Sequence, residues 1–209
     1  HEVRLALEDT VYLGQILDAL RPVQQRFADT QLNFQCVHML NSLAILSREE
    51  VDLAFTPWLP TFEAMGDFES KCIGELNFWY CIHKSLAAEH QIHTSADITL
   101  EKLSEIPQLT PRDLPLDVEK TNIMKQISRS IIKIDEMRCF LQALESQLGW
   151  GPITQTAWSE EMDGKYIRFN LDKHGAQAKS ELRLVKNRTK ILGACAQTIW
   201  EAFKQTGDS

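Results

Sequence analysis

The chain has no stretch approaching the roughly 18 uncharged apolar residues that a membrane-crossing helix requires, and no basic segment followed by an apolar run opens it. Neither a membrane span nor a secretory leader is expected. Cysteine is scarce and unpatterned: Cys36, Cys72, Cys81, Cys139 and Cys195 are odd in number, scattered, and show no C-x-x-C spacing. That excludes a disulfide scaffold, and the expectation is reduced thiols in a cytoplasmic protein. Positive charge is in deficit, 22 Lys and Arg against 29 Asp and Glu, for a net charge of −7. A chain of that sign repels polyanions, so nucleic acid is not expected as its direct partner. Also missing are a G-x-S-x-G elbow, a G-x-G-x-x-G turn and a P-loop, so catalysis has no support and no cofactor is expected. His90-x-x-His93 is the nearest approach to a metal pair, but no ligand cluster accompanies it, and a polar helix end explains it.

What the sequence does contain is alternation. Val3 to Glu8 reads as a buried strand, with Asp9-Thr10 as a cap before a helix (Val11 to Phe27) whose Leu13, Ile16, Leu17, Leu20 and Val23 recur at helical spacing. Pro22 is expected to kink or restart that helix, because proline lacks the backbone donor. Leu32 to Val37 alternates like a strand, a helix around Leu43 to Leu46 follows, then a strand at Val51 to Phe55. Two strand-helix-strand units in so short a span imply a parallel α/β sheet, because parallel neighbours need a crossover.

From Asp67 to Ile82 the pattern changes to two adjacent strand-like runs, Phe68 to Leu76 and Phe78 to Ile82, where the chain is expected to cross over. A second alternation follows: helix Leu100 to Ile106, strand Gln108-Leu109, strand Ser130 to Ile134, helix Asp135 to Leu148 and a short strand at Trp150 to Ile153. Strands at Tyr166 to Leu171 and Glu181 to Val185 and a closing helix from Thr189 to Phe203 complete the pass. The opening His1-Glu2-Val3, with no Met and a strand at once, reads as the start of a fragment of something longer.

A parallel sheet offers ligands the carboxyl ends of its strands, where helix N-termini leave N–H groups free and carry partial positive charge. Small polar residues there are the site candidates: Asp9, Thr10, Asn41, Ser42 and Thr56, with Thr110, Pro111 and Arg112 from the second alternation. Such a set suits a small carboxylate or other anion, with Arg112 supplying charge. Plain helix capping accounts for the same Ser, Thr, Asn and Asp residues with no ligand at all. Trp58 and Trp150 also fall near strand ends, where core packing is the preferred role over stacking on an aromatic ligand.

Four phrases, in this order and spacing, resemble the effector domain of LysR-type transcriptional regulators. Arg26-Phe27-Ala28-Asp29 stands where that family has arginine, aromatic, proline, aspartate, with Ala28 at the proline. Leu46-x-x-Glu49-x-Val51-Asp52-Leu53-Ala54-Phe55 is similar to its Leu-x-x-Gly-x-Leu-Asp-Leu-Ala, with Glu49 at the glycine. Ile82 to Ala87 is similar to its His-Pro-Leu-Ala crossover, with Ser85 at the proline, and Gly149-Trp150-Gly151-Pro152 resembles its Gly-Leu-Gly-Ile, with Thr156 where a proline usually follows.

The resemblance implies two Rossmann-like lobes of the periplasmic-binding-protein type II kind, with a small inducer in a central cleft. Residues 1–82 with 186–209 would form one lobe and 83–185 the other. It also implies an N-terminal winged helix-turn-helix absent from this chain, through which alone DNA is bound. Its homodimer would use helix 11–27, strand 32–37 and helix 135–148, and each helix carries more apolar residues than one buried stripe needs. A solute-binding protein for a small anionic or amino-acid-like ligand shares the two-lobed design and is the alternative. A small α/β transferase or deaminase is disfavoured by the lack of any nucleophile-base arrangement.

Overall fold

The computed structural model describes residues 1–9, 11, 13–38, 41–59, 62, 66–111, 126–171 and 179–204. The chain divides into two compact units, residues 1–76 with 180–209 and residues 77–179. The changeovers therefore fall within a strand and at the start of another, some residues ahead of the 82/83 and 185/186 junctions read from the sequence.

Unit 1 begins with the expected strand-helix alternation: β1 (Glu2–Glu8), α1 (Leu13–Arg26), β2 (Gln31–Val37), α2 (Asn41–Ser47) and β3 (Leu53–Trp58). β1 pairs in parallel with β2, from Glu2 beside Gln31 to Glu8 beside Val37, and with β3, where Leu7 lies beside Phe55. The next strand, β4 (Phe68–His83), is one continuous 16-residue strand rather than two adjacent runs. Its beginning pairs with β9 (Lys179–Asn187), which also runs antiparallel to β3 and places Arg183 beside Thr56. The closing helix α7 is Ala194–Ala202, shorter than expected.

The core follows the sequence pattern. Leu5, Leu7, Leu43, Leu46, Leu53, Phe55 and Phe62 are fully buried, and Ile16, Leu20 and Val23 form the buried stripe of α1. Each such side chain contributes about 1.5–3 kcal/mol of transfer free energy. α1 runs past Pro22 to Arg26 without a break. Pro22 and Asp18 are both exposed, so the carbonyl that proline leaves without a donor faces water, and the break expected from the sequence is avoided.

Glu49 has φ 57°, the left-handed region that glycine enters at lower cost. It closes α2, with Glu49 N donating to Leu46 O and Glu50 N to Ile45 O, both at 3.0 Å. Glutamate here accepts strain that glycine would avoid.

Asp52, just before β3, ties unit 1 together. Its carboxylate receives Arg4 N at 2.8 Å, Arg4 Nη2 at 3.1 Å and Lys190 Nζ at 2.8 Å. Burial pushes its pKa up, but the hydrogen bonds from Lys190 and Arg4 outweigh it and hold the carboxyl below the ordinary aspartate range. A depressed folded pKa stabilises above the unfolded pKa of about 3.9 and is lost as pH falls through the folded value. Asp52→Asn is expected to cost about 1–3 kcal/mol at pH 7 in urea titrations. The gap to wild type should close below about pH 3; a gap independent of pH would refute the ionic account.

Unit 2 carries the rest of β4 with β5 (Gln108–Pro111), β6 (Ile131–Ile134), β7 (Trp150–Thr154) and β8 (Tyr166–Phe169). β5 is parallel to β6 and β7, whereas β4 runs antiparallel to β7 on one side and β8 on the other. Its helices are α3 (Lys84–Glu89), α4 (Leu100–Glu105), α5 (Met137–Glu145) and α6 (Glu160–Lys165). α3 and α6, each six residues long, have no counterpart in the helices read from the sequence. The run Glu160-Glu161-x-Asp163 is the first turn of α6, where carboxylates complement the helix dipole. His90 is the C-cap of α3.

Trp150 is fully buried in the unit 2 core, and its indole Nε1 donates to Leu103 O at 3.2 Å and Ser128 Oγ at 3.0 Å. It is a core residue. All five cysteines are free, and burial pushes the Cys81 thiol up to about 12.

Candidate functional site

In unit 1 the carboxyl ends of β1, β2 and β3 lie along one edge of the sheet. β1 closes on Glu8, only 2% exposed, and its Oε1 accepts a hydrogen bond from the backbone N of Ser42 at 2.9 Å. A carboxyl buried so deeply is tolerated only with such partners. Asp9 N donates to Val37 O at 2.9 Å, and Asp9 Oδ2 stands 3.5 Å from His38 Nδ1. Asn41 Nδ2 donates to His38 O at 2.9 Å, which fixes the entry to α2.

Ser42 and Thr56 are fully buried. Thr56 Oγ1 donates to Pro57 O at 3.1 Å. Ser42 Oγ, by contrast, makes no hydrogen bond, and the same holds for the buried Trp58 Nε1, whereas His38 Nδ1 has the Asp9 carboxylate beside it. An unmade bond at a buried polar atom costs about 1–3 kcal/mol, so these two, at the end of β3 and the start of α2, call for a partner. Trp58 is held at its ring: Phe62 meets it edge-on at 5.6 Å and the Arg183 guanidinium lies 4.7 Å from its centroid. Arg183 is itself committed, donating to Glu181 Oε2 at 2.7 Å and Ser70 Oγ at 3.0 Å.

The structure thus brings Asp9, Asn41, Ser42 and Thr56 to one edge of one sheet. Thr110 and Pro111 lie at the end of β5 in unit 2, beside Lys133 and Ile134 of β6. Thr10 and Arg112 lie outside the described residues. One expectation needs correction: the α2 N–H offered to an anionic ligand at Ser42 is already taken by the chain's own carboxylate, Glu8. Sequence reasoning passed over Glu8 as part of an apolar strand. The signal was there, a charge ending a run of Leu5, Ala6 and Leu7 that a buried strand tolerates only at a special place.

Among the described residues no group of three or more His, Cys, Asp or Glu side chains is placed to hold a metal ion, and no helix is long and apolar enough to cross a membrane.

The family model described as the LysR substrate binding domain matches residues 1–208. The chain belongs to this family. It is the effector-binding domain of a LysR-type regulator, with the periplasmic-binding-protein type II-like fold. No curated protein matches the sequence. Among solved structures, the effector binding domain of QuiR in complex with shikimate is similar at TM-score 0.72 and 12% identity, over 97% of this chain and 95% of that one. The regulatory domain of CcmR from Synechocystis PCC6803, in complex with 2-PG, is similar at TM-score 0.72 and 12% identity over the same shares. Full-length CbnR complexed with its target DNA is similar at TM-score 0.63 and 13% identity, over 97% of this chain and 68% of that one. At such identities these likenesses concern the fold.

Proposed function

We propose that this LysR-type domain senses a small polar metabolite through Asp9, Thr10, Asn41, Ser42 and Thr56 of unit 1 and Thr110, Pro111 and Arg112 of unit 2, and does no chemistry itself. The observation that carries this reading is the set of buried, unpartnered polar atoms at the strand ends of unit 1. A ligand completes bonds that the free chain leaves unmade, and only its differential affinity for two arrangements of the protein shifts a regulator. Glu8 makes the ligand group near α2 a hydrogen-bond donor. DNA is contacted in this proposal through an N-terminal winged helix-turn-helix outside this chain, in the cytoplasm.

The test is a thermal-shift screen of metabolites, shikimate included, followed by calorimetry. A binder is expected whose affinity falls about tenfold on Ser42→Ala or Thr110→Ala, the loss of one buried hydrogen bond. Unchanged affinity in both variants would remove these residues from the site.

A homodimer through α1, β2 and α5 belongs to the same proposal. β2 is an edge strand on which Phe34 is 42% exposed, and Leu17 on α1 is 46% exposed. α5 offers less than its sequence suggested: Phe140 and Leu144 are buried in the core, leaving Leu148, beyond the helix end, half exposed. Light scattering should give twice the 23.9 kDa chain mass. Leu17→Asp with Phe34→Asp should return the monomer, since charge on an apolar interface core is strongly unfavourable; a dimer that survives both places the interface elsewhere.

A further inference from the structure

Beyond the strand-end residues, unit 2 holds a pocket of about 320 Å³ at the end of β8, the turn at Ser95–Asp97 and the start of α4, and no described residue of the proposed effector site lines it. Its polar lining is Arg168, Ser95, Thr99 and Asn170, set against the apolar Trp79 and Leu100. We infer that this pocket is a second binding site for a small organic carboxylate with an aromatic or apolar body, held by the Arg168 guanidinium.

The guanidinium is positioned before any ligand arrives. Arg168 Cζ lies 4.0 Å from the Trp79 ring centroid and 5.4 Å from that of Trp158. The two indoles meet edge-to-face at 5.8 Å, and Trp158 Nε1 is fixed by a 3.0 Å bond to Asp163 Oδ1. Stacking uses the faces of the guanidinium plane and leaves its N–H edge free for a bidentate carboxylate. Among the described residues that edge has no hydrogen-bonding or ionic partner.

The pocket's charge is the reverse of the chain's. Among the described residues no carboxylate lines it, in a protein of net charge −7. Asp97, next to Ile98 of the lining, accepts from His93 N at 3.0 Å, Thr94 N at 2.8 Å and Thr94 Oγ1 at 3.2 Å. Thr99 Oγ1 accepts from Lys102 N at 3.2 Å, so its O–H remains to donate. Leu100, 36% exposed, supplies apolar surface for the body of the ligand. One cation with apolar walls matches a monocarboxylate better than inorganic phosphate, and the volume is at the lower end of small-molecule sites.

The test is an NMR titration of the protein with phenylacetate, following the five tryptophan indole N–H signals, with phenylacetamide and inorganic phosphate as controls. Saturable shifts of the Trp79 and Trp158 signals are expected with phenylacetate and not with the amide or phosphate. Arg168→Gln should weaken binding at least tenfold, and Thr99→Ala, which removes only a hydroxyl, about two- to fivefold. Ser42→Ala should leave it unchanged, which separates this site from the proposed effector site. No saturable shift up to about 10 mM, equal binding of phenylacetamide, or phenylacetate binding that survives both Arg168→Gln and Thr99→Ala would overturn the assignment.

Discussion

Gly149→Ala is expected to destabilise the protein by about 3 kcal/mol or more, among the largest effects of any single methyl group in this chain. A Cβ at position 149 would fall on the carbonyl oxygen of Pro107 and stand 3.0 Å from its carbonyl carbon, and both are backbone atoms that no rotamer change can move. The approach cannot be relaxed cheaply, because Trp150 N donates to that same carbonyl at 3.0 Å and Trp150 is fully buried. Gly151 is similarly confined: its Cβ would lie 2.7 Å from Leu109 O and 2.7 Å from Phe140 Cζ. At roughly 2–4 °C per kcal/mol for a chain of this size, the melting temperature should drop by roughly 6–12 °C in scanning calorimetry. Gly164→Ala is the internal control, since nothing lies within 4 Å of its Cβ in the exposed helix α6. It should raise stability by about 0.5–1 kcal/mol through helix propensity. A Gly149→Ala protein that melts within about 2 °C of wild type would show that β7 has room the structure does not display.

The second large effect concerns ligand preference. Glu8→Gln keeps an oxygen able to accept from Ser42 N, so the fold should persist, but it replaces the buried carboxyl at the end of β1 with an amide that cannot ionise. Hydrogen bonds to a charged group are worth about 1.5–3 kcal/mol, against about 1 for neutral pairs. Between matched probes such as tyramine and 3-(4-hydroxyphenyl)propionate, the preference should therefore move toward the acid by about two- to thirtyfold. Calorimetry on both proteins measures it. If the two probes keep their ratio, Glu8 serves α2 alone and does not face the ligand.

These two residues mark the limit of what was legible from the sequence. The Gly-Trp-Gly-Pro phrase could be recognised as family-like, yet its reason lies in Pro107 and Leu109, carbonyls 42 residues away from each glycine and brought alongside only when β5 pairs with β7. Glu8 looked like the tail of a strand because its partner, Ser42, is 34 residues on. The same non-locality hid Arg183, which stands beside Thr56 only through the antiparallel pairing of β3 and β9.

The sequence by itself determined the elements whose apolar periodicity is strong. β1, α1, β2, α2 and β3 of unit 1 and β5, β6, α5 and β7 of unit 2 were legible because hydrophobic spacing is a local property that each segment carries whatever surrounds it. Glu49 stands at a glycine of the family phrase, and its φ of 57° lies in the left-handed region that glycine favours. Tertiary structure alone decided which polar groups are satisfied. Whether Ser42 Oγ or Trp58 Nε1 finds a partner, and whether Glu8 or a ligand holds the start of α2, depends on strands and helices distant in sequence meeting at one edge. Burial turns those meetings into energy, and burial is a property of the folded whole rather than of any segment.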